Sequence, residues 1–365
     1  MITASIGIAI LLLIAFLGFP LGFAMIVVGV CGFAYLRGIN PAMEMAGQTI
    51  LDLATSSEFG SLPLFILMGI FVYRSGISDK LYETAQAWLG HLRGGLAMAT
   101  VIACGGVAAV TGSSLATTAT MARVSIPPMK RYGYSGGLAA GAVASGGTLG
   151  MLIPPSTPLL VYGILTNQHI GKLFIAGIIP GILLMLLFVG AIMIVALVRP
   201  NMCGVGERTE FNVKIRTLLS VWPVILMFCG ILAGIYLGVF TASEAGGVGA
   251  VCALLFALSL GKLSFRDFIE SLVEAGRTTA MLFSVGFGAL IINNFVVVAG
   301  MPTELVNWIE SAKLSPMMVI VVLAVIYLLL GTVFDGIALI LLTVPIFFRS
   351  SSSLVWIRSG SAFLS

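Results

Sequence analysis

The sequence predicts an all-α protein that crosses a membrane several times. Of its 365 residues, 59% are hydrophobic and only 9% are charged, whereas soluble domains carry about 25% charged residues. The mean hydropathy is +1.14, and many apolar runs approach the roughly 20 residues that a spanning helix needs. This composition excludes a soluble enzyme, a nucleic-acid binder and a disordered protein. It also disfavours a transmembrane β-barrel, whose strands alternate apolar and polar residues.

The apolar stretches are the candidate spanning segments, and several of them are interrupted. They cover residues 2–36, 62–73, 96–121, 136–163, 173–199, 216–238, 242–260, 277–299 and 316–348. Pro20 interrupts the first stretch. Because proline lacks a backbone N–H and obstructs the preceding helical turn, we expect two helices that meet at a kink there.

Two segments between the apolar stretches are amphipathic. Residues 78–93 and 264–276 can each place their apolar side chains on one face, so we expect both to lie along the membrane surface. Ser264 is the expected N-cap of the second segment. Glu244 is expected to have a structural role, capping the helix that follows Thr241.

The distribution of Lys and Arg constrains the path of the chain, because these residues are retained on the cytoplasmic side. The basic loops all lie on one side only if the segment between Arg93 and Lys130 enters and leaves the membrane on the same face. A re-entrant helical hairpin has this property, and the sequence therefore predicts one between these two residues.

The centre of that segment is rich in small and hydroxyl-bearing residues. It reads Gly-Gly-Val-Ala-Ala-Val-Thr-Gly-Ser-Ser-Leu-Ala-Thr-Thr-Ala-Thr-Met over residues 105–121. Irregular backbone at membrane depth is tolerated where it lines a cavity, and there the hydroxyls of Thr111, Ser113 and Ser114 can bind Na⁺ together with free carbonyls. Small residues also let helices pack closely, so this run by itself supports both interpretations.

A second interruption favours the binding-site interpretation. Residues 146–156 contain two consecutive prolines, Pro154 and Pro155, which remove two backbone donors and unwind the helix locally. Broken helices in corresponding halves of a membrane protein indicate the binding site of a transporter. We therefore expect a related interruption in the C-terminal half.

The C-terminal half does contain a diverged copy of the first interruption. Residues 111–126 align with residues 332–346, and this alignment places Asp335 beside Ser113. The second hairpin would enter the membrane from the opposite side, which makes the repeat inverted. Asp335 is ionisable at membrane depth and is therefore a functional candidate, although capping of a broken helix would also explain it.

Several motifs occur together along the chain. They are Pro63-Leu-Phe-Ile-Leu-Met-Gly69, Gly90-His-Leu-Arg-Gly-Gly-Leu96, Gly112-Ser-Ser114, Ile153-Pro-Pro-Ser156, Thr241-Ala-Ser-Glu-Ala245 and the segment around Asp335. In this combination the sequence resembles, from about residue 1 to residue 348, the large membrane subunit, of DctM type, of the tripartite ATP-independent periplasmic (TRAP) transporters.

The resemblance implies a multi-pass protein of the bacterial inner membrane that works as an elevator-type Na⁺ symporter of carboxylates. It implies two partners, a small membrane subunit of DctQ type and a periplasmic solute-binding protein, and no cofactor besides the coupling Na⁺. The hairpin tips and the unwound helices that face them would bind Na⁺ and substrate. On this chain they correspond to Thr111, Gly112, Ser113, Ser114, Gly147, Thr148, Ile153, Pro154, Thr332, Asp335 and Gly336. The first tip reads Thr-Gly-Ser-Ser where the family commonly has Ser-Gly-Ser-Ala, a conservative departure.

The pattern divides the chain into five regions. They are scaffold helices with an amphipathic arm (1–95), a first hairpin with its unwound helix (96–170), further scaffold helices with a second arm (171–276), an incomplete second hairpin region (277–348) and a polar tail (349–365). The tail is Ser-rich where the resemblance implies a second unwound helix and a last span. We hypothesise that a frameshift replaced the C-terminus, and we expect a truncated and impaired transporter.

Two other functions fit parts of the sequence. A passive anion channel could also use repeats and broken helices. An intramembrane serine hydrolase would need Ser113 or Ser114 as nucleophile with His91 or His169 as base, but no acid is placed to orient either imidazole. The chain has no GxxxxGK[ST] motif, which argues against direct coupling to ATP.

Overall fold

The computed structural model describes residues 2–166, 168–206, 208–301, 303–304, 307, 311, 316–332, 336–337, 339–340 and 343–344. Over these residues the protein is helical and has no β-strand, which confirms the predicted all-α class. The helices are α1 (Ile2–Phe16), α2 (Leu21–Arg37), α3 (Ile39–Thr55), α4 (Ser57–Gly60), α5 (Leu62–Arg74), α6 (Ile77–Leu89), α7 (Gly95–Thr111), α8 (Ser114–Arg131), α9 (Gly136–Thr148), α10 (Thr157–Thr166), α11 (Ile170–Val198), α12 (Phe211–Ser220), α13 (Trp222–Tyr236), α14 (Ala242–Ser259), α15 (Phe265–Val298) and α16 (Pro316–Gly331).

Length and composition identify the helices that can cross a bilayer. Helices α11 and α15, with 29 and 34 residues, are each long and apolar enough to span one. Two further pairs pass the same test when each is taken as one bent segment: α5 with α6, bent by 62°, and α12 with α13, bent by 44°. Shorter apolar helices, among them α1, α2 and α7, accompany them. The protein is therefore a multi-pass membrane protein.

Helix ends occur where the local sequence rules place them. Pro20 occupies the N-cap of α2 and separates it from α1, as predicted. Thr241 and Glu244 form a reciprocal capping box at the start of α14, in which the Thr241 N–H donates to Glu244 Oε2 at 2.7 Å and the Glu244 N–H donates to Thr241 Oγ1 at 3.2 Å. Ser264 caps α15 by accepting from the Asp267 N–H at 3.2 Å. The expected structural role of Glu244 is confirmed.

The predicted second arm, residues 264–276, is not a separate element. It continues without a break into the apolar stretch that follows, and the two together form the 34-residue helix α15. The junction around Gly276 contains no proline, and a single glycine in a helix costs only about 1 kcal/mol. The sequence therefore changes from amphipathic to apolar within one continuous helix, and this change does not mark a helix end.

The chain forms two compact units. One contains Met1–Phe59, Val161–Gln168 and Thr278–Ser365, and the other contains Gly60–Leu160 and His169–Arg277. We call them the split unit and the central unit. The predicted region boundaries at residues 95, 170, 276 and 348 stay predictions, because they concern scaffold and transport functions rather than compactness.

The split unit is held together by close helix packing. A Cβ atom built on Gly22 of α2 would lie 2.6 Å from the backbone of Ser284 on α15, and one built on Gly29 would lie 2.8 Å from Ile291. Gly32 lies similarly against the ring of Phe295. Small residues at such positions let membrane helices approach closely enough for backbone-level contact. The glycines of α2 therefore serve packing in this unit.

The central unit has its apolar core around α7. Leu96, Ala97 and Val101 are fully buried there against residues of α8, α9 and α11. A T-shaped contact between Phe65 and Phe174, with ring centroids 6.2 Å apart, joins α5 to α11. Helix α7, the first helix of the predicted hairpin, is therefore an interior element of the unit, whereas α8 also has exposed side chains such as Leu115, which is 65% exposed.

We predict that Thr241→Ala destabilises the protein by about 1 kcal/mol, because the N-cap oxygen that accepts from the Glu244 N–H is removed. Thermal unfolding in detergent should show a lower Tm for this variant. Thr241→Ser keeps the hydroxyl and is the matched control, with a Tm near that of the wild type. An unchanged Tm for Thr241→Ala would contradict the stabilising role of the capping box.

Candidate functional site

The predicted hairpin is present in the central unit as α7 and α8. Near its open end the Thr100 hydroxyl contacts Met129 Sδ at 3.6 Å, and near its tip the hydroxyls of Thr111 and Thr117 lie 2.9 Å apart. These two contacts pair the start of α7 with the end of α8 and the end of α7 with the start of α8. The helices therefore run antiparallel, and the hairpin and the location of its tip are confirmed.

Two residues make the turn at the tip. Gly112 has φ +58°, a left-handed conformation that residues with a Cβ adopt at a cost. Ser113 is extended and caps α8, with its hydroxyl accepting from the Ala116 N–H at 3.4 Å. The turn therefore presents Ser113 and Ser114, both half-buried, beside the buried Thr111.

The predicted broken helix is also present. Helix α9 ends at Thr148, a 3₁₀ turn covers Leu149–Met151, and regular helix resumes only at Thr157. Pro155 cannot donate to the Met151 carbonyl as a helical residue would. The Ser156 hydroxyl, on a side chain that is 1% exposed, donates to that carbonyl instead at 2.6 Å. A side-chain donor thus replaces the missing backbone donor, as burial at membrane depth requires.

The hairpin tip and the broken helix meet directly. The Thr157 N–H donates to the Gly112 carbonyl at 3.1 Å. A Cβ atom on Gly112 would overlap the Pro155 carbonyl, and one on Gly150 would lie 3.0 Å from the backbone of Ser113. The two interruptions that the sequence singles out in its first half therefore form one structure.

The remaining predicted residues of the first half surround this contact. Gly147 lies against Thr118 of α8, and a Cβ atom on Gly147 would overlap that side chain. Thr148 is exposed and donates its hydroxyl to the Ser145 carbonyl at 2.7 Å. Ile153 is half-buried and Pro154 is buried. Their role in binding Na⁺ or substrate stays a prediction.

The predicted residues of the second half belong to the split unit. Thr332 follows α16 and donates its hydroxyl to the Leu329 carbonyl at 2.7 Å. Gly336 is half-buried in a helical segment. Asp335 lies outside the described residues, as does the polar tail 349–365, so the second tip and the frameshift hypothesis stay predictions.

Three residues that sequence reasoning did not assign to the site are part of it. Thr117 is fully buried and holds the tip through Thr111. A Cβ atom on Gly69 would lie 2.8 Å from the Thr111 carbonyl, so this glycine allows α5 to approach the tip. Ser156 bridges the broken helix. Gly69 and Ser156 belong to motifs that the sequence displays, but nothing in the sequence marks Thr117 as a neighbour of the turn.

The chemistry of the site is that of neutral oxygen atoms. The turn carries the hydroxyls of Thr111, Ser113 and Ser114, and it meets the unwound segment at the Gly112 and Pro155 carbonyls. Among the described residues, no group of three or more His, Cys, Asp or Glu side chains could hold a metal ion. Hydroxyl and carbonyl oxygens suit a hard monovalent cation better than a transition metal.

The geometry does not support a serine hydrolase with His91 as its base. His91 precedes α7, whose 17 residues separate it from the tip by about 25 Å. A general base must lie within hydrogen-bond reach of its nucleophile. The Ser113 hydroxyl also serves as a helix cap. A helical membrane protein with a hairpin tip against a broken helix is instead typical of secondary transporters.

The comparison with known proteins agrees with that class. Residues 8–352 match the family described as tripartite ATP-independent periplasmic transporter, DctM component, and the chain belongs to that family. It is therefore a large permease component of the bacterial inner membrane. The family consists of transporter subunits rather than enzymes.

Curated relatives carry different substrate names. The C4-dicarboxylate TRAP transporter large permease protein DctM of Pseudomonas aeruginosa is 39% identical over 291 residues, which are 79% of this chain and 67% of the relative. The isethionate TRAP transporter permease protein DctMQ of Oleidesulfovibrio alaskensis is 33% identical, over 86% of this chain and 50% of the relative. The sialic acid TRAP transporter large permease protein SiaM of Vibrio cholerae is 29% identical, over 90% and 77%. The chain thus spans between half and about four fifths of these relatives.

We predict that Gly112→Ala disrupts the tip, because the added Cβ overlaps the Pro155 carbonyl and the left-handed backbone is strained as well. Gly133→Ala is the matched control, since Gly133 has φ +75° and no atom within 4 Å of its Cβ position. Both variants carry the backbone strain of about 1 kcal/mol, and only Gly112→Ala adds the clash. Thermal unfolding in detergent should show a clearly lower Tm for Gly112→Ala, and equal Tm values would contradict the close contact.

Proposed function

We propose that this chain is the permease subunit of a Na⁺-coupled symporter that imports an organic anion. The observation that supports the proposal is the contact between the hairpin tip and the broken helix, with the Thr157 N–H donating to the Gly112 carbonyl. This contact gathers unwound backbone and hydroxyl groups in one place inside an apolar protein. Such sites bind the coupling ion and the substrate in secondary transporters.

The proposed ligands of the cation are the hydroxyl groups of the tip and nearby carbonyl oxygens. Ser113 and Ser114 are half-buried, so a cation that leaves water would exchange hydration oxygens for protein oxygens there. The described residues of the first tip include no carboxylate. This favours a monovalent ion, because divalent cations are usually bound by carboxylate oxygens. The Thr111 hydroxyl, which already bonds Val107 and Thr117, would mainly fix the shape of the turn.

The proposed site of the anion uses the N-terminus of α8. This helix, of 18 residues, begins at the tip, whereas at the start of α10 the Thr157 and Leu159 N–H groups already donate to the Gly112 carbonyl and the Ser156 hydroxyl. Backbone N–H groups in a first helical turn attract carboxylates and other anions without a basic side chain. The relatives named for C4-dicarboxylate, isethionate and sialic acid suggest that the substrate is an organic anion. The uptake experiment described below identifies which one.

We also propose the assembly that the family description implies. The chain would work with a small membrane subunit and with a periplasmic solute-binding protein that delivers the anion. Import would proceed by an elevator motion in which the hairpins carry cation and substrate across. The firm attachment of the tip to the broken helix supports their movement as one body.

Uptake by reconstituted vesicles tests this function. We predict that the chain, combined with its small subunit and its binding protein in proteoliposomes, takes up one of three labelled anions, a C4-dicarboxylate, isethionate or a sialic acid. Uptake should require an inward Na⁺ gradient and should saturate with substrate. Uptake that persists without Na⁺ would instead support a passive channel.

The tip hydroxyls can be tested separately. We predict that Ser113→Ala or Ser114→Ala raises the Na⁺ concentration for half-maximal uptake about fivefold, since each removes one oxygen ligand. Ser259→Ala is the matched control, because Ser259 is exposed and bonds only the Phe256 carbonyl within its own helix. If all three variants matched the wild type in Na⁺ dependence, the cation site would not be at this tip.

A further inference from the structure

The central unit contains an apolar cavity beside the first helix of the hairpin. The volume of the cavity is about 690 Å³, which lies within the range of small-molecule sites. Its walls come from α6, α7, α11, α12 and α13 and from the unwound segment at Ile153 and Pro154. Among the described residues that line it, only Thr84 and Trp88 have side chains that can donate a hydrogen bond. Cavities with apolar walls stay dry and take apolar ligands, so this one suits a hydrocarbon chain.

The cavity is open because α7 has two consecutive glycines on its wall. Gly105 and Gly106 both line it. A Cβ atom on Gly106 would lie 3.1 Å from Leu81 of α6, and one on Gly105 would lie 2.9 Å from Met185 of α11. Consecutive helical residues point about 100° apart, so these contacts lie on two sides of the cavity. The glycine pair, which has no side chains, leaves the space between them free.

The cavity extends from the membrane surface to the middle of a spanning helix. Helices α6 and α12 carry charged residues, among them Asp79 and Lys214, so they belong at the membrane surface rather than in the hydrocarbon core. Ile182, at the other end, is the thirteenth of the 29 residues of α11, a helix long enough to cross the bilayer. Ile182, Trp88 and Leu218 are exposed, so the cavity opens at the surface of the protein. In a membrane this surface faces lipid.

The end of the cavity at the membrane surface carries an unpaired positive charge. Lys214 Nζ lies 5.8 Å from the centroid of the Trp88 ring, and Lys214 forms no ion pair with any described residue. Tryptophan is enriched at the membrane–water interface, where an ammonium group attracts anionic lipid headgroups. The Thr84 hydroxyl donates to the Thr217 carbonyl at 3.0 Å and joins α6 to α12 at this end. Apolar walls and a basic residue at the surface end therefore indicate one kind of ligand.

We propose that this cavity binds one anionic phospholipid, with an acyl chain between α6, α7 and α11 and its phosphate beside Lys214. The acyl chain covers the glycine pair of α7 and reaches the unwound segment at Ile153 and Pro154. An uncharged apolar molecule would leave Lys214 without a counterion. A soluble anion would pair with Lys214 but leave the apolar walls uncovered, and only a phospholipid satisfies both. The site does not depend on the function proposed for the tip.

Native mass spectrometry of the purified full chain in detergent tests the headgroup part of this site. The probes are phosphatidylglycerol and phosphatidylcholine with identical acyl chains, added in increasing amounts to delipidated protein. We expect one phosphatidylglycerol to bind with about fivefold higher affinity than phosphatidylcholine, because one lysine near the membrane surface favours an anionic lipid by about this factor. Lys214→Gln should remove the preference, and Lys214→Arg should retain it.

Arg216→Gln is the matched control for the headgroup. Arg216 is an exposed basic residue on the same helix as Lys214, and a step of two residues turns its side chain about 200° away. The preference for phosphatidylglycerol should therefore persist in this variant. An equal loss in Lys214→Gln and Arg216→Gln would show a general attraction to the basic surface and would overturn the proposal.

Two variants of α11 test the acyl-chain part. Ile182→Trp places a larger side chain at the opening of the cavity and should weaken binding of both lipids about tenfold, the effect of losing contact with about two methylene groups. Ile179→Trp is the matched control, because Ile179 is 77% exposed and does not line the cavity. Both variants place tryptophan at an exposed isoleucine, so a general effect on folding would appear in both, as a lower Tm without lipid.

Three further results would overturn the proposal. One is the binding of many lipids with no first lipid held more tightly than the rest. Another is equal weakening of lipid binding by Ile182→Trp and Ile179→Trp. The third is release of the bound lipid when the small membrane subunit assembles with the chain, which would make the cavity a contact between subunits. Loss of Na⁺-driven uptake with lipid binding intact would count against the tip function alone.

Discussion

The hydrogen bond from the Thr157 N–H to the Gly112 carbonyl is the interaction on which the site depends. A hairpin turn and a broken helix each expose backbone groups that regular helix would pair. Inside a membrane protein such groups must find partners within the protein, since each unpaired one costs several kcal/mol. By pairing with each other, the turn and the break satisfy part of this need. The Ser156 hydroxyl satisfies another part by replacing a donor that proline lacks.

Small residues make that pairing possible. Gly150 lets the unwound segment approach the backbone of Ser113, and Gly69 lets α5 approach the Thr111 carbonyl. A methyl group at either position would lie too close to the facing backbone, so the two segments would have to move apart. The abundance of glycine, 44 of 365 residues, therefore has a structural reason beyond helix packing. It allows unwound backbone to be enclosed, which is the condition for binding ions with neutral oxygens.

The charged side chains lie away from the hairpin tip. The described part of the first tip and its surroundings is neutral, while the ion pairs of Arg74 lie where α5 ends and α15 begins. A neutral site can bind a monovalent cation and release it again, because no fixed carboxylate retains it. The charged groups meet water at the ends of the helices, where ion pairs contribute about 0–1 kcal/mol to stability each. The two kinds of polar group thus serve different purposes in the same unit.

The sequence by itself determined the features that follow local rules. Composition predicted the helical membrane class, consecutive prolines predicted the broken helix, and the run around Gly112 predicted the turn of the hairpin. The spacing of Thr241 and Glu244 indicates a cap, and Ser264 is the N-cap expected before the amphipathic segment. Each of these depends on residues within a few positions of one another, which is why the pattern was sufficient.

Only the tertiary structure decided which distant parts meet. The contact of Gly112 with Thr157 joins residues 45 positions apart, and the ion pair of Arg74 with Glu270 joins residues 196 apart. The sequence also suggested a separate surface arm where the structure has the continuous helix α15. Helix periodicity and breakers specify local backbone geometry, but the approach of two backbones depends on the shapes of all the side chains between them. For that reason the tip and the broken helix could be located along the sequence, but only the fold showed that they meet.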